Sequence, residues 1–164
     1  MAIVYPLQQV VEVKQKRVED AELQLKQKLM ALEVEKQKLA EKEAARDKVK
    51  EHLSNKMVQL RRILDEGTTC PKIEQVKIYV KVVKEQLAVE EKKVKEQQNQ
   101  VTIAQNNADA ARQELNRRRQ EVDKMYMHRE DWQKQMRKEL EVIEAREQDE
   151  LGSIGHFLHK RMGF

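Results

Sequence analysis

Val4, Val11, Val18, Leu25, Leu32, Leu39, Leu53 and Leu60 stand at seven-residue intervals in a charged background, and only Arg46 interrupts the row. A second row opens at Ile73, runs through Val80, Leu87, Val94, Val101, Ala108, Leu115 and Val122, passes Arg129 and resumes at Met136 and Ile143. An apolar position every seventh residue keeps returning to one face of a helix, so each row predicts a coiled-coil seam. Between the rows lies Asp65-Glu66-Gly67-Thr68-Thr69-Cys70-Pro71. Gly67 can take the left-handed conformation that closes a helix, Thr69 or Cys70 can cap the next one, and Pro71 suits its first turn. A connection this short folds the second helix back beside the first. The predicted fold is all-α, two long helices in an antiparallel coiled-coil hairpin with a C-terminal overhang. Helix one spans about 6–66, the turn 67–71 and helix two about 71–151, so that the hairpin occupies 1–151 and a flexible tail follows at 152–164. At 1.5 Å per residue the arms measure ~90 and ~120 Å, which leaves the second helix without a partner beyond about Trp132. Folding about the turn sets Leu60 near Val76, Leu39 near Gln97, Leu25 near Ala111 and Val11 near Met125.

The other half of each seam is incomplete. Three residues after the anchors, the first helix reads Leu7, Lys14, Ala21, Lys28, Glu35, Lys42, Val49, Lys56 and Ile63. The second reads Val76, Val83, Glu90, Gln97, Ala104, Ala111, Arg118, Met125 and Trp132. Apolar clamps sit at the ends and polar residues in the middle. A buried Leu or Val contributes about 1.5 to 3 kcal/mol, against about 1 to 2 kcal/mol to order each backbone residue, so a half-filled seam predicts marginal stability and help from a partner. The antiparallel register brings Arg46 close to Glu90, and these two intrusions are expected to form the pair that fixes alignment.

Apolar residues off the seam indicate where a partner would sit. Ile78, Val82 and Val89 fall within about 40° of one another on a helical wheel, away from the Ile73 row, with Tyr79 beside them. Leu23, Met30 and Val34 make a similar stripe on the first helix. A single exposed apolar side chain on a coiled coil needs no explanation, whereas a row of three is a candidate docking face. The segment from Gly152 to Phe164 loses the heptad pattern and carries Phe157, Leu158, Lys160, Arg161, Met162 and Phe164. It reads as a frayed tail or as a short anchor that orders on binding.

Composition narrows the function. The chain is 38% charged and 4% aromatic, with acidic and basic residues interleaved as on solvated helix faces. A two-helix rod has a core one residue wide and no concave apolar pocket for small-molecule chemistry, which argues against an enzyme and against a bound cofactor. The N-terminal Met-Ala-Ile-Val-Tyr-Pro-Leu makes a poor signal peptide, and no window approaches a membrane span. Cys70 is alone, in keeping with a reducing cytosol. The net charge of +4 and the cluster Arg112 with Arg117-Arg118-Arg119 raise the question of nucleic acid. Glu114 and Glu121 flank that cluster and no aromatic residue interleaves with it, so the solvated-face reading prevails. His156 and His159 lack a third ligand in the tail, so no metal is expected. His52 and His128 lie on the helices without a nucleophile beside them and read as surface residues.

Several non-periodic stretches carry a family resemblance. They are Tyr5-Pro6-Leu7, Arg17-Val18-Glu19, Ala45-Arg46-Asp47-Lys48-Val49-Lys50, the tip Leu64-Asp65-Glu66-Gly67-Thr68-Thr69, Tyr79-Val80-Lys81-Val82-Val83, Arg118-Arg119, His128-Arg129-Glu130-Asp131-Trp132 and Gln148-Asp149-Glu150. Together they resemble the chlamydial branch of the YscO/FliJ family of type III secretion proteins. The resemblance implies a cytoplasmic, non-enzymatic hairpin at the base of a secretion apparatus. It would act as the central stalk of a hexameric secretion ATPase and link it to the membrane export gate and to substrate chaperones. By the same analogy the open end, with both termini, enters the ATPase ring and the tip side meets the gate. Alone, the chain is expected to be monomeric. Two other classes stand beside this one. The first is a homotypic scaffold in which hairpins pair through the Leu23 and Ile78 stripes, and the second a membrane-surface or nucleic-acid binder driven by the basic charge and the tail.

Overall fold

A computed structural model describes residues 4–163 of the chain. Two helices, α1 (Gln8–Glu66) and α2 (Cys70–Arg161), account for nearly all of it and form an antiparallel helical hairpin with a C-terminal overhang. The turn has the predicted chemistry. Gly67 takes φ +73° after the last residue of α1, and the Thr69 carbonyl accepts from the amides of Lys72 and Ile73 at 3.1 and 3.3 Å, which makes Thr69 the residue that opens α2.

The C-terminal segment differs from the expectation of a helix ending near Leu151 and a flexible tail. α2 continues through Gly152 and Gly155 to Arg161. An isolated glycine costs a helix about 1 kcal/mol and does not by itself end one. The true stop is Gly163, at φ +77°, whose amide bonds back to the Lys160 carbonyl while Met162 bonds to Leu158. His159, Lys160 and Arg161 fill the last turn, where positive charge meets the negative end of the helix dipole.

Contacts divide the chain into two units, Met1–Ala21 with Leu115–Phe164, and Glu22–Glu114. In the second unit the seam buries Leu32, Val80, Val83, Val94 and Ala108, with Leu25, Leu39, Leu53, Leu60, Ile73, Leu87 and Val101 half-buried. In the first it buries Tyr5, Val11, Ala21, Leu115 and Val122, with Val18, Met125, Trp132 and Met136 half-buried. Both heptad rows thus face inward except at their outer ends. Val4 lies ahead of α1 and is 74% exposed, while Tyr5 is the residue turned inward against Trp132, the ring centroids 5.3 Å apart. From Arg137 onward every described residue, Ile143 included, is exposed.

The one-residue width of this core makes neighbours in sequence energetically unequal. Val83 is 1% exposed and Val82 44%. Val83→Ala should lower unfolding stability by about 2 kcal/mol, and Val82→Ala should stay within about 0.5 kcal/mol of the parent, as urea denaturation followed by circular dichroism will measure.

Candidate functional site

Within unit Glu22–Glu114 the middle of the seam is polar, and its polar groups are partnered. Gln97 is buried at 4% exposure, its amide nitrogen donating to the Glu35 carbonyl at 3.0 Å and to the Glu35 carboxylate, while its oxygen accepts from the Lys42 ammonium at 3.3 Å. Glu35 and Lys42 flank Leu39 by one helical turn on either side, so this network sits at the level where the turn predicts Leu39 to face Gln97. A buried amide satisfied in one alignment and orphaned in others specifies register. Sequence reasoning overlooked this role. The available signal was three polar residues at inward positions, within one helical turn of the same level.

The Arg46–Glu90 pair is not formed. The Arg46 guanidinium lies 3.1 Å from Asp47, and the Glu90 carboxylate 3.4 Å from Lys93. Each half-buried charge is answered on its own helix, by a neighbour one or three residues away.

The off-seam stripes point outward. Ile78, Val82 and Val89 are 65, 44 and 53% exposed, and Leu23, Met30 and Val34 are 56, 62 and 48% exposed. Val82 and Val89 also line a shallow groove with Val49, Glu85, Gln86 and Glu90. Tyr79, at the edge of this stripe, is 44% exposed and also makes contacts with α1. Its hydroxyl is 2.9 Å from His52 Nε2, its ring meets the imidazole edge-on at 5.8 Å, and the Lys56 ammonium lies 5.0 Å from its centre. Tyr79 therefore ties α2 to α1 beside the stripe. Val58, absent from the sequence reading, is 54% exposed at the same distance from the turn as Ile78.

In the other unit, an aromatic and polar cluster joins the start of α1 to α2. Tyr5 packs on Trp132 and bonds through its hydroxyl to His128 Nδ1. Gln15 bonds to Tyr126, and Arg129 lies 4.9 Å from the Tyr126 ring and donates to Gln8 at 3.4 Å. Arg129, which breaks the second heptad row, is thus used across the hairpin. Glu121 takes Lys14 at 3.5 Å and Arg118 at 3.4 Å. Desolvation between the helices acts to raise its pKa, but the two cations outweigh this and hold the carboxyl below its usual range. Among the described residues no group of three His, Cys, Asp or Glu is placed to hold a metal, and no helix is long and apolar enough to cross a membrane.

These features define a class, a coiled-coil hairpin with apolar residues exposed off its seam. The chain matches the YscO-like protein family over residues 2–162 and belongs to that family, which makes it a type III secretion-associated protein. It is similar to a solved structure of a proposed YscO homologue from Chlamydia trachomatis, with 44% identity over 98% of this chain and 99% of that one and a TM-score of 0.95. It also matches a chain in the Chlamydia pneumoniae CdsV and CdsO complex, with 52% identity over 49% of this chain and 96% of that one and a TM-score of 0.47. No match is found among curated proteins.

Two predictions follow from the charges. Arg46→Glu and Glu90→Arg should have additive effects on the urea midpoint, because the two side chains do not touch; a coupling above about 0.5 kcal/mol in a double-mutant cycle would contradict this. Folding lowers the Glu121 pKa, so its contribution is complete above the usual value of 4.5 and is lost as pH falls through the lower folded value. The stability advantage of the parent over Glu121→Gln, read from urea midpoints, should therefore be largest near neutrality and shrink toward pH 3.

Proposed function

We propose that the chain is a non-enzymatic stalk and adaptor of a type III secretion apparatus, located in the cytoplasm at its base. Its open end engages the hexameric secretion ATPase, its tip side engages the export-gate protein, and substrate chaperones use the remaining surface. Membership of the YscO-like family supports the setting. The observation that carries the docking assignment is the outward stripe of Ile78, Val82 and Val89, whose side chains are exposed and add little to the seam. The interleaved charges of the other faces keep such a surface soluble and confine adhesion to the stripe. Leu23, Met30 and Val34 offer a second contact on α1, and Tyr79 holds the two helices together beside the first.

Binding and folding are then separable. Ile78→Asp with Val82→Asp should weaken binding to the purified cytoplasmic domain of the export gate at least ten-fold in calorimetry and reduce secretion, while circular dichroism and the urea midpoint stay close to the parent. Leu87→Asp, on the half-buried seam, should instead destabilise the hairpin by several kcal/mol through an unpaired inward charge. A double variant that stays folded and still binds and secretes normally would overturn the docking assignment.

A further inference from the structure

The inward face of α2 does not stop where the described part of α1 does. Counted at 100° per residue, Met136, Leu140, Ile143, Leu151, Ile154 and Leu158 stay within an arc of about 80° that continues the line of Val122, Met125 and Trp132. Met136 is half-buried, and beyond it Leu140, Ile143, Leu151, Ile154 and Leu158 are 40, 48, 69, 56 and 51% exposed. Glu147 and Arg161 lie in the same arc, seven residues before and seven after Ile154. A lone helix containing Gly152 and Gly155 is marginal in water, since each glycine costs about 1 kcal/mol, so this segment gains from a cover.

Charge on the segment selects the occupant. Residues 147–150 hold Glu147, Asp149 and Glu150 and no basic residue, whereas the end of the helix holds Lys160 and Arg161 with His156 and His159. Such a segment complements itself when run antiparallel and repels itself when run parallel. We propose that residues 147–161 of α2 pair antiparallel with the same segment of a second copy, centred on Ile154. That centre places Ile154 on Ile154, Leu151 at the level of Phe157, and Glu147 of each copy opposite Arg161 of the other. The contact is isologous and closes as a dimer. About 22 Å of paired helix buries on the order of 1,000 Å² in total, at the lower edge of specific interfaces, so the chain is a monomer when dilute and a dimer at higher concentration.

Sedimentation equilibrium of the full chain in low salt, from about 1 to 500 µM, tests this. The parent should move from the mass of one chain to that of two. Glu147→Arg and Arg161→Glu should each weaken the association at least ten-fold with helicity unchanged. The charge-swapped double variant should dimerise again, because both ion pairs are restored with reversed sign, as should an equimolar mixture of the two single variants, in which each Arg of one copy faces a Glu of the other. Ile154→Asp should remain a monomer. A parent that keeps single-chain mass throughout, an assembly that grows beyond two, or single variants whose mixture does not recover would each overturn the proposal.

Discussion

Two helices with no third element can bury only the stripe that each turns toward the other, and the rest of this structure follows from that limit. One seam position in two is apolar through most of the length, and the other inward positions mix apolar residues with polar ones such as Glu35, Lys42, Glu90 and Gln97. The hairpin accommodates them with side chains long enough to find partners. Gln97 is held by Glu35 and Lys42, and Glu121 by Lys14 and Arg118. Hydrophobic contact supplies the attraction in such a seam, while the polar groups decide which alignment is allowed.

The heptad rows and the turn were legible because periodicity and glycine chemistry are local properties of a sequence. The same holds for the outward position of Ile78, Val82 and Val89, which follows from their angle to the seam. What escaped reading depends on competition among partners. Arg46 and Glu90 were correctly placed as inward intrusions, but a long charged side chain takes the nearest opposite charge, and Asp47 and Lys93 are nearer in conformational terms. Loss of the heptad pattern after Leu151 suggested an end to α2, because a seam argument sees the missing repeat and overlooks the stop at Gly163 and the basic last turn. Tyr5 stood out in sequence only as part of a resemblance, and its burial against Trp132 needed the fold.

A fold that commits so few positions to its interior leaves most of its residues free to meet other molecules. An outward apolar row therefore carries more information here than in a globule, where many such residues sit by default at the edge of a large core. The two classes of surface on this chain also differ in kind. The stripe near the turn lies off the seam and is displayed by a paired helix, whereas the C-terminal stripe is the seam itself, continued without cover among the described residues.

The distance along the chain between contacting residues grows steadily from the turn to the open end. Next to Gly67 the helices meet across a short loop, whereas Tyr5 and Trp132 close one that spans most of the sequence. Closing a loop costs more entropy as it lengthens, so a contact beside the tip costs little to form from the open chain and one at the open end costs more. Tyr5, His128 and Trp132 stand at that costlier end, and the aromatic contacts and hydrogen bond they make are what offsets the cost of closing it.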